Sequence, residues 1–302
     1  MKVALVVIYN HRYDKNIPIV EKLYEGKFSN IFHVVPFYEG DRENVITVFE
    51  SSYRFQGYIA QAYKELRKKG FSHYFIVADD MLINPKLDET NFLDKIGLSE
   101  NDCFIPNIVD LSKSKGGWTR LRNAIMWWPE LSVCGAEFQN ELPKYEEAES
   151  QIKRYGKNVV IGGFLFLQSF VRGIFKEAPP RVSYKIWKRF VKNGFKYPLC
   201  YPMVASYSDI CIVSESAMPR FSHYCGALAA AGLFIEVAWP TSLLLASDSV
   251  KTEDDTLLKG RALWPNNGWH DLDKYQYDLK RLIADFPQGQ LFIHPVKLSK
   301  WK

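Results

Sequence analysis

Cysteine is scarce and unpatterned in this 302-residue chain. Cys103, Cys134, Cys200, Cys211 and Cys225 form no C-x-x-C pair and keep no regular spacing. An odd, scattered set excludes a disulfide framework or a cysteine zinc site, and reads as reduced, mostly buried thiols of a cytoplasmic protein. Charge of one sign is also missing as a block. Lys and Arg number 39 against 34 Asp and Glu, a net charge of +5. Without a dense basic stripe, dedicated nucleic-acid binding is set aside. Repeats and low-complexity linkers are absent, and the 47% apolar share excludes a disordered or collagen-like chain.

Long hydrophobic runs are lacking as well. The first, Val3 to Tyr9, is too short for a signal core followed by a small-residue cleavage site. Its β-branched residues predict a buried parallel strand instead. The one stretch approaching membrane length, Cys225 to Ala246, holds Glu236 near its middle and then Pro240. Neither suits a lipid-facing helix, so a buried core helix is expected there. Peripheral membrane contact is left to the end of the chain, where Lys297, Lys300, Trp301 and Lys302 mix basic and aromatic character; otherwise this is a solvated tail.

What is present is a βα rhythm. Strand Val3–Tyr9 is followed by a helical pattern over Ile17–Tyr24, then strands Ile31–Phe37 and Val45–Phe49. A longer helix, Tyr53–Lys69, carries Tyr58, Ile59, Ala62 and Leu66 at helical spacing and stops at a cationic last turn and Gly70. Strand His73–Ala78 then ends in Asp79-Asp80. Strands alternating with helices predict an α/β fold with a mostly parallel, Rossmann-like central sheet. Residues 86–302 read as a less regular second half of the same domain. They include a charged helix near 143–155, a strand over Val159–Leu167 and a basic helical region over Tyr184–Asn193.

Ligands of such sheets bind at the carboxyl ends of the strands. Tyr9-Asn10-His11 and Asp79-Asp80 both fall there, which predicts one shared cleft. Two adjacent carboxylates repel unless a positive group lies beside them. A divalent Mn²⁺ or Mg²⁺, shared with phosphate oxygens, answers that need; a plain turn in which Asp bonds backbone amides is the alternative. Near the C-terminus, the apolar strand Leu291-Phe292-Ile293 ends in His294, with Lys297 in the next loop. An imidazole completes a carboxylate-rich metal site, and an ammonium neutralises phosphate charge. Taken alone, that segment reads as a surface histidine before a proline turn.

Together, Ala78-Asp79-Asp80 and His294-Pro295-Val296-Lys297-Leu298-Ser299-Lys300-Trp301 resemble GT-A-type, nucleotide-sugar-dependent glycosyltransferases. The C-terminal segment is loosely similar to the H-x-x-G-x-x-K-P-W of the glycogenin-like and lipooligosaccharide galactosyltransferase-like retaining branch. The resemblance implies that residues 1–85 bind the nucleotide sugar and that 86–302 hold the acceptor side. It implies Asp79, Asp80 and His294 as metal ligands and Lys297 on the diphosphate. Tyr9, Asn10, His11 and Gln56 would line the nucleoside pocket, with Tyr9 as a stacking surface. The donor it implies is a nucleoside diphosphate sugar, with UDP favoured. The acceptor is a saccharide or glycolipid of surface-polysaccharide assembly, on the cytoplasmic side and in reach of the membrane.

An inverting transfer needs a general base at the acceptor hydroxyl, for which Glu236 and Asp209 are the candidates; a retaining one would instead use a carboxylate or amide near the reacting sugar carbon. A carboxylate inside the apolar run Ala229–Ile235 is costly without a purpose or partner. The structural alternatives are an ion pair for Glu236 and turn capping for Asp209. His270 is an alternative third metal ligand, and His223 reads as structural or acceptor-facing. Of Trp118, Trp127, Trp128, Trp239, Trp264 and Trp269, one or two are expected to touch sugar and the rest to be core. Two other functions compete. A sugar nucleotidyltransferase needs a glycine-rich loop after the first strand, where this chain has Asn10-His11-Arg12-Tyr13-Asp14. A non-catalytic saccharide- or partner-binding module is supported by Ala78, which stands where a strict D-x-D has its first Asp.

Overall fold

Strand β1 (Val3–Ile8) holds no polar residue and is buried along its whole length, as a strand covered on both faces must be. The computed structural model describes residues 2–113, 119–128, 138–176, 180–264 and 267–302. From β1 the chain passes through α1 (Ile17–Tyr24) to β2 (Ile31–Pro36) and β3 (Val45–Val48). Helix α2 (Phe55–Leu66) then returns it to β4 (His73–Ala78). One further tight turn, Arg67–Lys69, ends at Gly70 with φ +63°, the left-handed stop that glycine adopts without a Cβ penalty. Strands β1, β2, β3 and β4 pair in parallel with their neighbours.

The second half is shorter-pieced. It runs β5 (Leu82–Ile83), α3 (Phe92–Ile96), β6 (Cys103–Phe104), β7 (Val109–Asp110), α4 (Thr119–Ile125) and α5 (Tyr145–Arg154). It continues with β8 (Val160–Ile161), α6 (Gly163–Lys176), α7 (Pro180–Lys192), β9 (Tyr197–Pro198), β10 (Val204–Ala205) and β11 (Ile210–Ser214). Helices α8 (Met218–Ala230) and α9 (Ile235–Ala246) follow, then β12 (Val250–Lys251), β13 (Lys259–Ala262), α10 (Leu279–Ala284) and β14 (Gln290–His294). The main sheet has seven strands in the order β12-β6-β11-β4-β1-β2-β3. Only β11 runs against its neighbours, β4 and β6. The protein is therefore α/β with a mostly parallel mixed sheet, an arrangement compatible with a Rossmann-like fold, and strands from both halves build it.

Period-2 alternation sends the two sets of β1 side chains to different layers. Ala4, Val6 and Ile8 join the core with α2, α8 and α9. Val3, Leu5 and Val7 join the one with α1, α3, α10 and β14.

Two sequence expectations need correction. Cys225–Ala246 is not one helix: α8 and α9 are separated by a turn in which Gly232 has φ +71°. The Val159–Leu167 strand is only Val160–Ile161, and helix begins at Gly163. A short apolar run such as Phe164-Leu165-Phe166-Leu167 has no period that separates strand from helix; the Phe166 and Phe170 pair at helical spacing decides it. Among the described residues no helix is long and apolar enough to cross a membrane. Cys103, Cys200, Cys211 and Cys225 are free, while Cys134 lies outside the described residues.

Candidate functional site

Three strand ends meet at one edge of the sheet. β1 and β4 run in parallel, so Asn10 and Asp79-Asp80 emerge side by side, and the Asp79 amide donates to the Ile8 carbonyl at 2.9 Å. β11 runs the other way, so its beginning lies at this same edge, where the Asp209 carbonyl accepts from the Ala78 amide at 2.9 Å. The edge is completed by β14, antiparallel to β5, which delivers His294 beside Asp80. The Val296 amide closes the junction on the Asp80 carbonyl.

These ends border a cleft of ≈ 390 Å³. Of the ten residues singled out from the sequence, Asn10, Asp79, Asp80, Asp209, Glu236, His294 and Lys297 line it. Three do not. Tyr9 is fully buried under β2 with its hydroxyl 2.9 Å from His33 Nδ1, so it offers no stacking face. Gln56 is buried too, and its Nε2 donates to the Leu233 carbonyl at 2.7 Å. His11 is exposed and packs against the Tyr13 ring outside the cleft wall. The reason is common to Tyr9 and Gln56: a polar residue near a strand end or helix start satisfies the interior before it serves a ligand.

Gln56 instead anchors the turn that carries Glu236. Replacing it by Leu leaves a buried carbonyl unpaired, for which a loss of about 1–3 kcal/mol is expected. Chemical denaturation should show that loss, and a variant as stable as wild type would remove Gln56 from this anchoring role.

In the cleft, His294 Nε2 and Asp80 Oδ1 stand 2.9 Å apart. The imidazole is held in orientation by two rings. Tyr207 lies 5.8 Å away and Trp264 6.3 Å away, both near perpendicular to it. Burial works against the imidazolium, but the Asp80 bond and the charges of Asp209, Asp80 and Asp79 outweigh it and raise the His294 pKa. Asp79 borders the cleft but is only 4% exposed, and its Oδ2 accepts from Asn16 Nδ2 at 3.2 Å. Burial and the neighbouring Asp80 push its pKa up to about 7.

Opposite stands a second carboxylate pair. Every residue of α9 is buried except Glu236 in its first turn. Burial, then the Asp209 charge, pushes the Glu236 carboxyl up to about 8, and Arg120 pulls the other way. Burial also raises Asp209, against the pull of His294. The two are joined through the backbone. Pro240 has no N–H for the Glu236 carbonyl, and that carbonyl accepts instead from the Ser206 amide at 2.9 Å, at the head of the Asp209 loop.

Arg120 was not singled out from the sequence. It lines the cleft from α4, with its guanidinium carbon 3.8 Å from the Tyr53 ring centroid and 5.5 Å from that of Phe234. Its sequence signal, two arginines in Thr119-Arg120-Leu121-Arg122, is that of an ordinary solvated helix face and does not point to a site. Of the tryptophans, Trp264 alone among the described ones borders this cleft. Trp239 is core, bonded to Cys211 Sγ, and Trp127 is buried with its Nε1 on the Ala231 carbonyl. Trp118 lies outside the described residues. His270 pairs with Asp273 and His223 with Glu141, both on the surface and neither in the cleft.

Among the described residues, no three His, Cys, Asp or Glu side chains converge into a ready-made metal cage. Asp80 Oδ1 and His294 Nε2, 2.9 Å apart, are hydrogen-bonded to each other, and they are the two side chains of the cleft whose chemistry suits a divalent cation. Comparison of the chain with protein-family models, curated proteins and solved structures finds no match.

Proposed function

We propose that this protein is a glycosyltransferase of GT-A type, moving a glycosyl group from a nucleoside diphosphate sugar to a saccharide or glycolipid hydroxyl. The observation that carries the reading is the single cleft in which Asp80, His294 and Lys297 stand together with the raised carboxyl of Glu236. That set matches the two demands of the reaction: a leaving diphosphate needs positive charge, and an attacking hydroxyl needs a base.

Asp80 and His294 are the residues that would hold Mn²⁺ or Mg²⁺, and Mg²⁺ in particular is commonly held by one or two protein ligands plus substrate phosphates. Bound there, the cation supplies Lewis-acid stabilisation of charge on the diphosphate. Lys297, in the same wall, contributes an ammonium to the same oxygens. Asp79 lines the same cleft, with one carboxylate oxygen held by Asn16. In an inverting transfer Glu236, once ionised, takes the acceptor proton; with a pKa of about 8 it is a stronger base than an ordinary carboxylate and is charged mainly above that pH. Arg120 favours its ionised form, and Asp209 keeps the wall acidic on the acceptor side. Trp264, at the cleft rim, offers an aromatic face to a sugar ring.

Calorimetric titration with UDP, CDP and GDP tests the reading. One nucleoside diphosphate should bind with Mn²⁺ and lose at least tenfold in affinity with EDTA. If none binds under either condition, the donor site is not a nucleotide site and the saccharide-binding module takes over. Binding that ignores the metal moves the chemistry away from Asp80 and His294.

A further inference from the structure

The exposed apolar surface of this protein is not spread evenly. Helices α6 and α7 form a hairpin whose two ends are clamped together by β8 pairing antiparallel with β9. Inside the hairpin, Phe166 stacks on Phe190 with ring centroids 4.1 Å apart, and on Tyr197 at 4.8 Å. Those contacts fix the inner faces. The outer face of α6 then presents Phe164, Leu167 and Val171, at positions i, i+3 and i+7, and Phe164 is 78% exposed. The outer face of α7 repeats the spacing with Tyr184, Trp187 and Val191; Tyr184 is 66% exposed, while Trp187 is partly exposed and also leans on Phe170 and Phe190 of the inner stack. Two helices thus carry matching apolar stripes toward solvent, although each already has an apolar face buried inward.

Charge accompanies the stripes. Residues 163–196 contain eight Lys and Arg and one Glu, or +7. The whole chain is +5, so 5 − 7 leaves the other 268 residues at −2. On α7 the exposed Lys185, Lys188 and Lys192 flank the outward aromatic residues. Lysine stems lying along apolar surface with their ammonium groups turned to phosphate, beside Trp and Tyr, are the chemistry of an interfacial helix.

We propose that the α6–α7 hairpin is a membrane-docking element that seats on an anionic bilayer surface, with its apolar stripes in the acyl boundary and its lysines at the headgroups. A second copy of the chain is disfavoured as occupant, because it would set +7 against +7. Nucleic acid would use the lysines but leave the stripes wet. The C-terminal segment, expected from the sequence to touch the membrane, is tied down instead: Trp301 is buried and packs edge-on against Tyr277. The inference stands on the hairpin and does not depend on the chemistry of the cleft.

Vesicle co-sedimentation tests it. The protein should pellet with phosphatidylcholine vesicles containing 30% phosphatidylglycerol and stay in the supernatant with phosphatidylcholine alone. Lys185→Glu/Lys188→Glu/Lys192→Glu should lower partitioning by about 100-fold or more, from about fivefold per lost cation. Phe164→Ser/Tyr184→Ser, at two outward positions whose loss leaves the inner stack intact, should abolish what remains at 0.5 M salt. Thermal melting confirms that both variants are folded. Wild type that ignores anionic vesicles overturns the proposal, as does equal binding by both variants. So does sedimentation velocity showing a dimer that Phe164→Ser/Tyr184→Ser dissolves.

Discussion

Asp80→Ala should lower turnover by about a thousandfold or more, while the protein still folds. The magnitude follows from what the side chain does in the cleft. Its Oδ1 is one of the two atoms we propose as cation ligands, and a lost charge stabiliser in a low-dielectric site costs about 10²–10³ in rate on its own. Losing the cation as well adds to that. Folding is spared because the main-chain ties of Asp80, including its carbonyl to the Val296 amide, do not involve the carboxylate.

A second readout separates this role from simple disruption. His294 is buried, and burial alone lowers an imidazole pKa; the Asp80 bond is the largest of the effects that reverse it. In Asp80→Ala the His294 pKa should fall, visible in the pH titration of its Cε1 proton by NMR. Nucleotide affinity should no longer respond to Mn²⁺ or EDTA. Unchanged metal dependence in this variant would remove Asp80 from the cation site, whatever happens to turnover.

How far the sequence reached depends on the range of the interaction concerned. β1 and β4 were legible because a buried parallel strand is a local pattern of β-branched residues, and the strand-end rule then put Asn10 and Asp80 in one cleft. His294 was legible as a chemical type at a strand end, although β14 joins through β5 rather than the main sheet. Tyr9 failed because burial of a strand-end side chain depends on a partner, His33, that lies in another strand. The break between α8 and α9 failed because one glycine in an apolar run gives no signal unless its φ is known. Pro240 was read as a veto on a membrane helix. Its actual effect is to free the Glu236 carbonyl for Ser206, a pairing across 30 residues that no local window contains. Arg120 was missed for the same reason: its value lies in facing Tyr53 from one segment and Phe234 and Glu236 from another, both far from it in the chain.

Glu236→Gln should give a protein that is more stable above pH 8 yet turns over about 10²–10⁴ times more slowly. The sign follows from linkage. The Glu236 carboxyl sits at about 8 in the fold, against an ordinary value of 4.5. Below pH 4.5 the side chain is protonated in both states and costs nothing. Between 4.5 and 8 the unfolded chain gives up a proton that the folded one retains, so stability falls as pH rises and the loss is complete above 8. At about 1.4 kcal/mol per unit, and discounted for the solvent that reaches this residue, the loss amounts to about 2–4 kcal/mol. A neutral amide of the same shape never meets it. At pH 8.5 the Gln variant should therefore melt about 5 °C or more above wild type, and the difference should vanish near pH 4.5. A carboxylate kept only as an ion-pair partner for Arg120 would behave in the opposite way, with the variant less stable at alkaline pH. On the proposal that Asp80 and His294 hold a cation, Mn²⁺ added to wild type should recover part of the alkaline loss by offsetting the crowding of Asp79, Asp80, Asp209 and Glu236 in one cleft.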